Sequence, residues 1–253
     1  MTHPLLVHPP LVEIIAEVRL EDDGAPSKGV GVQFTMPDDA KFVSFGIAVG
    51  HQGYTNLERL VPPGFPVPHG AVIYRYRRPN AEEPTLYQLG ADVFTANALP
   101  PYDSWTSFRP HVVSGLEAAF AVGVLTKGRR VRASLKYVDA FSGESLLGRT
   151  PSVFLQDLLG LNYSMPKCMA TDREPRTLRF STESYCAEDA IFALEAGAGK
   201  KDQADAVILN TTASSSLRAE TVESILEKLD VLQALLHDAF LELIERFPGD
   251  PSS

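Results

Sequence analysis

The sequence predicts an α+β protein of two similar halves, residues 1–128 and 129–253, packed as one globular unit. Each half is expected to be an antiparallel strand meander closed by a long helix packed on the sheet. Three observations predict this. Short runs rich in branched and aromatic residues, broken by glycine and proline, recur along the chain and read as strands. Two longer segments, one mid-chain and one terminal, carry apolar residues at helical spacing. ADVFTANA (91–98), a small polar loop with prolines and an amphipathic helix are echoed by DAVILNTTA (205–213), a serine loop and the last helix. Such an echo reads as an approximate internal duplication.

In the first half, Pro9 and Pro10 end an extended leader, and LVEIIAEVRL (11–20) then alternates as a half-buried strand does. The acidic, glycine-containing run from Glu21 to Gly31 reads as a loop. KFVSFGIAVG (41–50) and AVIYRYRR (71–78) read as strands from their aromatic and branched content. Between them, VPPGFPVPHG (61–70) carries four prolines and must be an exposed connection. TLYQLG (85–90) and ADVFTANA follow as a tight pair. A helix comes next: Asp103 or Ser104 can cap its first turn, and Trp105, Phe108, Val112, Leu116 and Phe120 share one face. Pro110 lacks an N–H and crowds the carbonyl one turn back, so a kink or restart is expected near Arg109.

In the second half, RRVRASLKYVDAF (129–141) reads as a strand with Val131, Ala133, Leu135 and Tyr137 on one face and Arg130, Arg132, Ser134 and Lys136 on the other. Thr150 caps a short helix that begins at Pro151 and ends at Gly160. Residues 176–185, 189–197 and 205–213 form a three-stranded meander, with GAGKKDQ as its polar turn. The longest helix runs from Leu217 to Phe247, its stripe being Val222, Ile225, Leu229, Leu232, Leu236, Phe240, Leu243 and Phe247.

A chain of 253 residues with 44% hydrophobic content can build a real core. Its net charge of −9 works against nucleic acid as a partner, because nonspecific binding there depends on Lys and Arg displacing counterions. The N-terminal stretch lacks the pattern of a secretory leader, and no apolar run approaches the ~20 residues of a membrane span. The two cysteines, Cys168 and Cys186, are too few for a disulfide framework. The expectation is a cytoplasmic protein with reduced thiols and no membrane partner.

No catalytic set, metal site or cofactor site assembles from the residues. GAGKK (197–201) lacks both the earlier glycine of a phosphate loop and the Ser or Thr after its lysine. GESLLG (143–148) has Leu147 where a nucleophile elbow needs glycine. None of His3, His8, His51, His69, His111 and His237 has a second histidine or a cysteine three or four residues away. Two binding candidates stand. The cationic strand face of Arg130, Arg132 and Lys136 suits an anion or an acidic partner segment, with Arg75, Arg77 and Arg78 nearby if the halves pair. Asn97, Tyr102 and Trp105 sit where a strand passes into a helix, a place where ligands often bind. For that junction the structural reading is that Trp105 anchors the helix to the sheet and Asn97 satisfies loop amides.

At PPLVEIIAEVRL, LYQLGADVFTANALPPYDSWTSFRP, LKYVDAF and LHDAFLELIERF the sequence resembles a sporadically distributed bacterial family of about this length. The family has no assigned activity, so the resemblance carries over no site residues. Its scattered occurrence implies an accessory or antiviral-defence setting. The combined expectation is a non-catalytic, regulatory binding protein that recognises another protein, with homodimerisation through a sheet edge or the last helix as a further expectation. The alternative is a small-anion or nucleotide sensor using the basic strand face.

Overall fold

The computed structural model describes residues 10–21, 34–80, 84–102, 104–160, 177–186 and 189–245. In chain order the elements are β1 (Leu11–Leu20), β2 (Phe34–Thr35), α1 (Asp39–Gly50), β3 (Asn56–Arg59), β4 (Val67–Pro68), β5 (Val72–Arg77), β6 (Thr85–Gly90), β7 (Val93–Ala98) and α2 (Trp105–Ala121). They continue with β8 (Arg130–Ser142), α3 (Pro151–Leu159), β9 (Arg179–Tyr185), β10 (Ile191–Lys201), β11 (Ala204–Arg218) and α4 (Val222–Ile244). The fold is α+β, as the sequence predicts. Its main sheet has nine strands in the order β3-β5-β6-β7-β1-β8-β11-β10-β9. Two compact units divide the chain: Glu13–Lys136 with Ser214–Gln233, and Met1–Val12 with Tyr137–Ala213 and Ala234–Ser253.

The first, an aromatic unit, owes its core to register. Leu57 lies opposite Tyr76, Tyr76 opposite Tyr87, Tyr87 opposite Ala96 and Ala96 opposite Ala16, one row across β3, β5, β6, β7 and β1. Helices cover this face. Phe45 of α1 meets the rings of Tyr76 at 4.9 Å, Tyr87 at 5.8 Å and Phe94 at 6.2 Å, contacts at the spacing that favours edge-to-face aromatic pairing. The row one residue away, Glu58, Arg75, Gln88, Thr95 and Glu17, turns to the opposite face and is polar throughout.

Here two sequence expectations are corrected. KFVSFGIAVG is not a strand: Asp38 accepts a hydrogen bond from the Ala40 amide and starts α1. The buried Phe42, Phe45 and Val49 then recur at helical spacings of three and four. α2 does not restart at Pro110. It runs unbroken from Trp105 to Ala121, opened by a reciprocal Ser104–Ser107 capping box. One missing donor in the second turn is offset by that cap and by burial of Phe108, Val112 and Leu116.

The second, a hairpin unit, packs the short helix α3 on its strands. Thr150 accepts from the Val153 amide, Pro151 opens the helix and Gly160 closes it at φ 63°, as the sequence reading has it. Phe154, Leu155 and Leu158 lie against Phe141, Leu194, Val207 and Leu209. GAGKK belongs to β10 instead of a turn. Asp202 and Gln203, both at positive φ (49° and 69°), form the reversal between β10 and β11 by themselves, the backbone form two-residue hairpins prefer. The serines at 214–216 likewise continue β11 and are not a loop.

Candidate functional site

Arg130 and Arg132 project from the face of β8 opposite the fully buried Val131, Ala133 and Leu135. The strand pairing brings Glu21 beside them, its amide bonded to the Arg130 carbonyl at 2.9 Å. The Nε groups of Arg130 and Arg132 each donate to one carboxylate oxygen of Glu21 at 3.0 Å, and the Ser216 hydroxyl donates to Oε1 at 3.0 Å. Burial works to raise the Glu21 carboxyl, but hydrogen bonds from Ser216, Arg132 and Arg130 outweigh it and hold it below its usual range. The side chains of Arg130 and Arg132 remain 56% and 48% exposed. Two guanidiniums against one carboxylate leave a local excess of positive charge.

Lys136 does not join this cluster: four residues along the strand place it ~13 Å from Arg132. Nor are the other arginines near. β5, which carries Arg75 and Arg77, lies four strand steps from β8 in the sheet, ~19 Å away. Arg75 is paired with Glu58 at 3.3 Å, and Arg78 lies over the Tyr54 ring at 4.7 Å.

The strand-to-helix junction does not gather its three candidates. Asn97 is 2% exposed. It accepts from the Thr95 hydroxyl at 2.7 Å and donates to Glu13 at 2.7 Å, so it serves the β7–β1 pairing instead of loop amides. Tyr102 and Trp105 flank the Phe108 ring at 6.2 and 5.9 Å. The Trp105 indole donates to Asp230 of α4 at 2.7 Å, so its hydrogen bond ties α2 to α4.

The structure gives specific surroundings to three titratable residues that the sequence reading did not make site candidates. His69 meets Asp92 at 3.2 Å, with Asp92 also accepting from the Gly70 amide at 2.8 Å. The His69 side chain is 44% exposed, so this pair sits at the surface. His111 is enclosed by Tyr87, stacked at 4.1 Å. Its Nε2 donates to the Leu86 carbonyl at 3.2 Å and its Nδ1 lies 2.9 Å from the Tyr54 hydroxyl, which also meets Thr85 at 2.7 Å. Burial pushes its pKa from 6.5 down to about 4 and keeps the ring neutral. Asp139 of β8 is 3% exposed, and burial pushes it up to about 7. Its sequence signal was present: it falls in phase with Val131, Ala133, Leu135 and Tyr137, the apolar face.

A cavity of about 510 Å³ in the hairpin unit is lined by Arg179, Ser181, Glu195, Gly197, Ile208 and Asn210, among others. Among the described residues no group of three or more His, Cys, Asp or Glu is placed to hold a metal ion. No helix among them is long and apolar enough to cross a membrane. Cys186 donates to the Ala190 carbonyl at 3.2 Å, while Cys168 lies outside the described residues. Compared with protein-family models, curated proteins and solved structures, the chain matches none.

Proposed function

We propose that the protein is a non-catalytic, cytoplasmic binding protein that recognises an acidic segment of another protein through the Arg130–Arg132 pair, in the accessory or defence setting implied by its family resemblance. The carrying observation is the way Glu21 engages the pair. It binds both Nε groups, fixing the side chains while about half of each remains exposed. A guanidinium fork held in place loses less rotamer freedom when a second carboxylate docks. Because one carboxylate already sits in the cluster on the Nε side, an extended acidic chain can reach the outer forks of both guanidiniums with Glu21 in place, and this reading is put before a small anion. A nucleotide or small-anion sensor is therefore the second reading.

The proposal includes a duplicated architecture. Its support is the strand order: outward from the middle, β1-β7-β6-β5 and β8-β11-β10-β9 both run from a first strand to a last strand and then back through the chain. α1 and α3 follow the first strands, and α2 and α4 the last.

Affinity capture with the wild type and with an R130E/R132E variant tests the function. A captured protein bearing an acidic segment, lost with the variant and weakened by salt after purification, is the expected result. Equal capture by both proteins, or a thermal upshift with nucleotide alone, would refute it in favour of another surface or of the sensor.

A further inference from the structure

We infer that the protein pairs with a second copy of itself through the outer edge of β9, the two strands running antiparallel with Ser181 facing Ser181. β9 is the last strand of the nine-stranded sheet and has seven residues, against four in β3 at the other end. Every second N–H and C=O along its outer side has no strand partner among the described residues. Such an edge is a template for another strand. Two devices that commonly blunt an edge, proline and a bulge, are absent from β9: RFSTESY holds no proline, and its register with β10 runs from Tyr185 to Arg179 without a shift.

The occupant follows from the side chains. Arg179, Ser181 and Glu183 lie opposite Gly197, Glu195 and Ala193 and share one face, while Phe180 turns to the core. All three are exposed. A two-fold axis through Ser181 sets Arg179 opposite Glu183 of the second copy, and Glu183 opposite its Arg179. The same register brings Tyr185, 87% exposed, opposite Thr177. Centring the axis on Arg179 or on Glu183 sets like charges face to face. Centring it on Phe180 or Thr182 forms no charge pair. Only the Ser181 register neutralises both charges, and directly opposed unlike charges stabilise strand pairs where like charges destabilise them. Pairing about a two-fold axis consumes both edges, so it closes at two chains and does not propagate.

The full chain, studied by sedimentation across a wide concentration series, tests this, and its readout is mass, independent of any acidic partner. The wild type should sediment as two 27.6 kDa chains at high concentration. R179E and E183R, each placing like charges opposite, should weaken self-association by about tenfold or more. Mixing R179E with E183R should restore association, because each strand then meets its complement, and the swapped R179E/E183R double variant should self-associate like the wild type. If a single variant fails to fold, the double variant decides alone. A wild type that stays monomeric throughout overturns the inference. So does self-association that is unchanged in both single variants or absent in a folded double variant.

Discussion

The indole nitrogen of Trp105 donates to Asp230 Oδ1 at 2.7 Å, and Arg109, one turn further along α2, binds the same carboxylate through Nε and Nη2, each at 3.0 Å. Two side chains of α2 thus converge on one acid of α4. Replacing Asp230 with Ala should cost about 1 kcal/mol, because Arg109 and Asp230 are each 39% exposed and water screens the charge. Burial works to raise the Asp230 carboxyl, but bonds from Arg109 and Trp105 hold it below its usual range. Its stabilisation is therefore present above the unfolded value of 3.8 and lost as pH falls through the lower folded value. Calorimetry of D230A, W105F and the double variant should show non-additive losses.

Gly115 is the close-packing point of α2. A Cβ there would stand 2.4 Å from Tyr87 Cε1 and 2.7 Å from Phe94 Cζ. Both rings are fully buried, so neither can swing aside cheaply. Gly115→Ala should destabilise by about 1–3 kcal/mol despite alanine's better helix propensity. Chemical denaturation followed by circular dichroism measures it, and an unchanged midpoint would contradict the packing.

His111 predicts an acid-side loss. Its folded pKa of about 4 lies below the unfolded 6.5, so the unfolded chain takes up the proton first. Stability contributed by the neutral ring is complete above pH 6.5 and falls by about 3 kcal/mol as pH drops to 4. His111→Gln should be less stable at neutral pH yet show a flatter profile across this window.

Asp139 acts with the opposite sign. Its folded value of about 7 lies above the unfolded 3.8, so the folded protein keeps the proton longer. The contribution is complete below 3.8 and is lost as pH rises through 7, by an amount of the order of 4 kcal/mol. Asp139→Asn, which stays neutral, should gain stability over the wild type above pH 7 and little near pH 4. Denaturation midpoints measured at both ends of the range decide this.

Most elements were legible because their signals are local. β1 shows alternation, α3 has Thr150, Pro151 and Gly160 at its ends, and α4 carries a long stripe. KFVSFGIAVG misled because its composition favours strands, while the deciding facts were the cap at Asp38 and a partner surface of tyrosines supplied by β5 and β6. The candidate site was half legible. Alternation in β8 put Arg130, Arg132 and Lys136 on one face, but Glu21, 109 residues before Arg130, reaches the two arginines only through strand pairing and leaves Lys136 out. The surroundings of His111 were out of reach for the same reason: Tyr54, Leu86 and Tyr87 come from 57, 25 and 24 residues away.

Trp105 is the single tryptophan of the chain, and its indole is committed to the α2–α4 joint. Intrinsic emission excited at the tryptophan band therefore originates from that joint alone. An emission shift on heating or on adding a ligand reports whether the two helices have parted. It is silent about events confined to the β9–β10 hairpin, where a probe would have to be introduced by substitution.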